Sequence, residues 1–191
     1  MSFPAALPSM RARLRAATDD VHQALHHAAP FAAIAEGRAT PEAYGAVLRF
    51  LHRYHAGMTQ SCARGAAALS MPRLGDVHAA RVAALAGDLA DMGMEPGFAP
   101  PPELHDDDFC IGILYTVQGS TLGGRVIYRQ LDSLLPDAAG RHFFRGFPED
   151  GRDWQALCAA LDSCRAAPAA LEAGAKHAFA RFAAMLETGA G

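Results

Sequence analysis

Nine histidines and one glycine-rich run are the places where this 191-residue sequence could do chemistry. A neutral imidazole is a good metal ligand, but a metal centre needs several donors at spacings that a fold can bring to one point. His22 and His26 stand at i, i+4, and His52 and His55 at i, i+3, so each pair can share a helix face. HExxH is absent, and so is the Glu-x-x-His pair of di-iron bundles, which argues against a bare non-haem metal centre. Hydrolytic chemistry fares no better, because GxSxG is missing and Ser120 has no recognisable base near it in sequence. Cys62, Cys110, Cys158 and Cys164 show neither CxxC nor CxxCH spacing and read as reduced core thiols.

The glycines lie in Tyr115–Leu131, YTVQGSTLGGRVIYRQL, an otherwise apolar helical run. Each of Gly119, Gly123 and Gly124 costs about 1 kcal/mol of helix preference relative to Ala. Two arrangements offset that loss: a second helix packed tightly on the bared backbone, or a flat ligand lying across it. Adjacent Gly123 and Gly124 widen the bare backbone into a patch, which suits a planar macrocycle. The residues alone leave both arrangements open.

The elements that must position these groups read as helices throughout. Ala makes up roughly a fifth of the chain, Val and Ile are sparse, and no alternating strand pattern is visible. Ser9 caps a first helix to about Ala29, with Leu14, Ala17, Val21 and Leu25 on one stripe beside His22. Residues 30–38 read as a connector, and Thr40-Pro41-Glu42 opens a long helix to about Leu69. A third spans about 74–92, closed by Gly93, and the prolines of 95–104 hold an extended linker. Asp106, Asp107 and Asp108 place negative charge at the start of the glycine-bearing helix, where it complements the helix dipole. Further helices are predicted at about 137–146, 151–166 and 168–187, seven or so in all, forming one domain over residues 1–191. A net charge of -3 offers no basic face for nucleic acid, and no run is long and apolar enough for a membrane span or a secretion signal, so a cytoplasmic protein is expected.

Two separated stretches carry a family likeness. LRAATDDVHQAL, Leu14–Leu25, resembles the N-terminal haem-ligand motif of haem oxygenases, and LYTVQGSTLGGRVIYRQL resembles their distal-helix motif, especially in bacterial members that make biliverdin. GAKHAFARF, Gly174–Phe182, is similar to the family's last-helix pattern, so the likeness spans most of the chain. The resemblance implies a single-domain all-α bundle with haem between the first helix and a glycine-kinked distal helix. It implies His22 as the axial iron ligand, with Gly119, Ser120, Gly123 and Gly124 forming the distal wall. Arg15, two turns before His22, matches a basic position that meets a haem propionate, and Tyr115, Lys176 and Arg181 are further propionate candidates. The reaction implied is cleavage of haem at a meso carbon, with dioxygen and external electrons, to biliverdin, carbon monoxide and ferrous iron. Haem is then both substrate and cofactor, the electrons come from a reductase or a ferredoxin-like donor, and the bilin passes to a biliverdin-accepting photoreceptor or a bilin reductase.

Three positions depart from the family pattern. His26 stands where a carboxylate is common one turn after the axial histidine, Asp19 replaces a basic residue one turn before it, and Ser120 replaces the aspartate of animal relatives. His26 would adjust the basicity and orientation of His22 from the second shell around the iron. His26 and Asp19 also motivate an alternative, a haem- or bilin-binding protein on the same fold that does not turn its ligand over. A thiaminase-like helical enzyme would need an active-site cysteine and acidic partners that do not stand out in the sequence.

Overall fold

The computed structural model describes residues 8–26, 29–137 and 139–188, and these fold as a bundle in which the described secondary structure is entirely helical. The helices are α1 (Met10–His26), α2 (Ala29–Ala35), α3 (Pro41–Ala68), α4 (Arg73–Asp91), α5 (Asp107–Ser120), α6 (Gly124–Gln130), α7 (His142–Arg145), α8 (Asp150–Ser163) and α9 (Pro168–Thr188). A 3-10 turn, Thr121–Gly123, joins α5 to α6. Residues 30–38 are not the expected connector, since most of them belong to α2, with Pro30 in the first helical turn where its missing N–H costs nothing. The helix expected at 137–146 shrinks to the four residues of α7. Gly140 lies at φ 75°, and Asp88 from α4 reaches across to accept from the backbone N–H groups of His142 and Phe143 at 2.7 and 2.8 Å. The start of α7 is therefore fixed by a carboxylate from another helix.

Local signals place the long helices. Thr40 caps α3 by accepting from Ala43 N–H, and Asp106 caps α5 by accepting from Phe109 N–H at 2.8 Å. Asp108 in the first turn of α5 accepts from Ala167 N–H at 2.8 Å, which ties the start of α9 to the start of α5. Gly93 follows α4 at φ 69°, the left-handed conformation that a helix stop favours.

α5 is the central strut, packed against both α3 and α9. Every residue from Cys110 to Gln118 is buried, so this helix presents no polar face. Its close approach to its neighbours depends on glycines outside the expected cluster. A Cβ on Gly112 would run into the Leu171 carbonyl of α9, one on Gly174 would run into the Phe109 carbonyl of α5, and one on Gly65 would meet the Cys110 backbone. The apolar core gathers in two clusters. One centres on α5, α9 and the C-terminal half of α3, the other on the N-terminal half of α3, the end of α4 and Phe144.

Candidate functional site

The end of α5 is fixed by a buried polar network before the glycines begin. Arg81 of α4, 3% exposed, donates to Gln118 Oε1 at 2.7 Å and to Asp150 Oδ1 at 2.5 Å. Gln118 donates in turn to the Leu74 carbonyl, and the second Asp150 oxygen accepts from Phe147 N–H. Gln118 therefore locks the last buried turn of α5 to α4 and to the start of α8, and Gly119 follows directly.

Beyond Gln118 two hydroxyls loosen the helix. Ser120 Oγ donates to the Val117 carbonyl at 2.8 Å, and Thr121 Oγ1 donates to the Gln118 carbonyl at 2.7 Å. Side-chain hydroxyls that take up main-chain carbonyls compete with the α-helical ladder and bend it. Together with Gly119, Gly123 and Gly124 they divide the glycine-bearing run into α5, a 3-10 turn and α6, the kinked helix that the resemblance implied.

α1 does not lie mainly on α5. It rests on α9 and α8, and α5 rests on the same two helices, so a cleft opens between α1 and α5. This cavity of about 230 Å³ is lined by Arg15, Asp19 and His22 from α1, by Tyr115, Gly119 and Ser120 from α5, and by Trp154 and Phe179 from α8 and α9. The His22 ring meets Phe179 edge to face, with centroids 5.9 Å apart, and the Tyr115 ring lies 5.3 Å from Trp154. Burial raises the Tyr115 phenol above its usual range, opposed by the guanidinium charges of Arg11 and Arg15, so it stays protonated near neutral pH. Thr18, Thr116 and Ser120 all line the cleft, and each hydroxyl donates to a main-chain carbonyl, of Leu14, Ala175 and Val117 respectively.

The sequence-derived candidates divide accordingly. His22, Arg15, Tyr115, Gly119 and Ser120 come together around the cleft. The Gly123 Cβ position has nothing within 4 Å, and that of Gly124 faces Phe144 of α7 at ordinary contact distance, so Gly124 belongs to a helix contact. Lys176 is exposed and stands outside the cleft lining. Arg181 is turned to the opposite side of α9 from Phe179, where it pairs with Glu103. The side chain of His26 lies outside the described part of the structure. Trp154 was not singled out in the sequence, although it is the only tryptophan and forms one wall. A Cβ on Gly119 would stand 3.1 and 3.3 Å from two of its ring carbons.

A search of family models finds no match to this chain. A haem oxygenase from Xanthomonas campestris pv. campestris (strain 8004) is 34% identical over 154 residues, covering 78% of this chain and 92% of the relative. The chain belongs to the haem oxygenase family. As a haem oxygenase it is a haem-degrading enzyme. Its fold agrees with that of the haem oxygenase from Neisseria meningitidis, solved with NO and CO bound, at a TM-score of 0.75 and 26% identity over 96% of this chain and 92% of the other. The haem oxygenase from Leptospira interrogans shares the fold at a TM-score of 0.70 and 18% identity, covering 95% of this chain and all of that one. The all-α architecture expected from the sequence is therefore the fold of this family. Among the described residues, no helix is long and apolar enough to cross a membrane.

Proposed function

We propose that haem binds in the cleft between α1 and α5 with His22 as the axial ligand of its iron, and is cleaved there to biliverdin, carbon monoxide and ferrous iron. The observation that carries this reading is the placement of His22 on one wall and of bare backbone at Gly119 on the other, within one cavity. The lining fits the group. Phe179, Trp154 and the Tyr115 ring supply flat apolar surface for a macrocycle, and Arg15 supplies a cation on the same helix as His22 for a propionate. Bound haem supplies the iron at which dioxygen is reduced by external electrons and the meso carbon that is oxidised.

The chain's own residues aim that chemistry and guard it. Gly119 keeps the α5 wall of the cleft bare, so a haem held by His22 would meet main chain there where a larger side chain would fill the space. No acid or base projects from Gly119 or Ser120, and the Ser120 hydroxyl hydrogen is already spent on Val117. Protons must therefore arrive through water, with the hydroxyl oxygens of Ser120 and Thr116 left as acceptors that order it. Such a wall avoids the strong distal acid or base that would promote cleavage of the O–O bond, and directs attack by shape. None of the lining side chains is a reductant, so electrons come from a separate reductase or a ferredoxin-like protein.

Trp154 makes the test direct, because the chain has one tryptophan and it borders the cleft. Hemin titrated into the purified protein should quench its fluorescence at one equivalent while an intense haem band grows. Addition of reductant and dioxygen should then convert that band to a bilin spectrum. A haem band that survives both additions unchanged rules out the oxygenase assignment. In His22→Ala the ligand signature of the haem spectrum should vanish, and its persistence would refute the axial assignment.

A further inference from the structure

On the face of α9 turned away from the cleft, three donor atoms converge that the haem chemistry does not use. Glu103 lies in the linker between α4 and α5, His105 stands just before the Asp106 cap, and His177 projects from α9. Glu103 Oε2 is 3.1 Å from His177 Nε2 and 3.4 Å from His105 Nε2, and the three donors lie within 4.8 Å of one another. Arg181, one turn beyond His177, pairs with Glu103 Oε1. The His105 ring stacks on Phe109 at 4.3 Å, and the His177 ring lies 5.3 Å from the same phenyl group, so both imidazoles are seated on an apolar support.

A simple ion-pair cluster leaves this arrangement incomplete. Arg181 occupies one carboxylate oxygen, and two imidazole nitrogens then compete for the other. His105 Nε2 is buried and reaches hydrogen-bond geometry with no partner. A single cation at the centre satisfies all three donors together. Ligand bonds of about 2.0–2.2 Å to Zn²⁺ place neighbouring donors roughly 3–3.5 Å apart, the spacing seen here around Glu103 Oε2.

We propose that Glu103, His105 and His177 form a binding site for a divalent first-row transition ion, separate from the haem cleft. Two imidazoles and one carboxylate suit Zn²⁺, Co²⁺ or Fe²⁺. Arg181 is the outer partner that fixes the carboxylate, as ligating carboxylates commonly require. Side-chain exposures of 43% for Glu103, 30% for His177 and 21% for His105 leave the remaining coordination positions to water. His177 and Phe179 stand two residues apart, about 200° around the helix axis, so the two sites occupy different faces of α9. Occupancy clamps the proline-rich linker onto α9.

The test uses the full chain, freed of metal with a chelator and kept free of haem. Calorimetric titration with Zn²⁺ should show one ion per chain, and Co²⁺ should give the visible bands of a nitrogen- and oxygen-ligated site. Affinity should fall at least tenfold in Glu103→Gln and at least a hundredfold in His105→Ala and in His177→Ala. It should stay within twofold in His22→Ala and in His142→Ala, the latter removing the histidine beside Asp88 and Asp91. Absence of stoichiometric binding in the parent chain overturns the proposal, and so does binding that survives both His105→Ala and His177→Ala. A measurement on the unaltered chain guards against misfolded variants: Zn²⁺ should shift two imidazole ¹⁵N resonance sets assigned to His105 and His177, and their constancy would reject the site.

Discussion

At the scale of single residues, Gly119 and Arg81 do different work within a few ångströms of sequence neighbour Gln118. Gly119 faces open cleft and the Trp154 ring, so Gly119→Leu should fold as the parent does, with the indole displaced toward solvent. Hemin affinity, read from Trp154 quenching, should nevertheless fall by at least tenfold; parent-like affinity would mean that the ligand does not use this wall. Arg81 instead supports the wall from behind. Its removal in Arg81→Met strands the Asp150 carboxylate, 7% exposed, without its cation, which should cost about 3–5 kcal/mol in urea unfolding. His22, Arg15 and Gly119 were legible in the sequence because each sits in a short local motif. Trp154 was not, because only the packing of α8 against α5 brings it to the cleft. The propionate role considered for Arg181 illustrates the same limit: helical spacing gives its face on α9, but the carboxylate that meets it comes from a linker some 78 residues earlier, at Glu103.

At the scale of elements, the glycine puzzle divides into contacts and a cavity. Gly112 and Gly174 allow α5 and α9 to touch backbone to backbone, and Gly65 does the same for α3 and α5. Gly112→Ala should therefore destabilise by about 1–3 kcal/mol, since main chain cannot yield as a side-chain tip can. Gly123→Ala is the counterpart: φ -70° and ψ -19° suit any residue, nothing stands within 4 Å, and the haem-free protein should gain up to about 1 kcal/mol. Denaturant midpoints of the two variants, measured side by side, check both signs. Helix starts were legible where proline stands at the first helical position, as at Pro41 behind its Thr40 cap and at Pro168. α2 was not legible, because a proline such as Pro30 opens a connector as readily as it begins a helix from its first turn. The kink between α5 and α6 was expected at the glycines, but the hydroxyl-to-carbonyl bonds that shape it as a 3-10 turn are not encoded in side-chain periodicity.

At the scale of the whole molecule, a polar layer runs between the two apolar clusters. Along α3 it falls at His55, between Leu51 and Met58, and along α4 at His78 and Arg81, between Leu74 and Leu85. His78 is fully buried and donates from Nε2 to the His55 carbonyl at 2.9 Å, while the Nδ1 atoms of both rings have no partner. Burial, the largest cause, pushes His78 down to about 4 and His55 well below the ordinary histidine value, helped for His55 by the neighbouring His78 and Arg81. Both rings fold neutral. In the unfolded chain they take up protons near pH 6.5, whereas folded His78 does so only near 4, so the unfolded state binds more protons throughout that window. Stability contributed by His78 is thus fully present above pH 6.5 and is lost as pH falls toward 4, by up to about 3 kcal/mol, with His55 adding to the same slope. Urea midpoints at pH 7.5, 6 and 5 should fall steadily. His78→Gln removes one titrating ring from the layer and should flatten that decline even though it lowers stability at pH 7.5. An undiminished slope in His78→Gln would assign the acid sensitivity to groups other than His78, with His55 across the same layer the first to replace next.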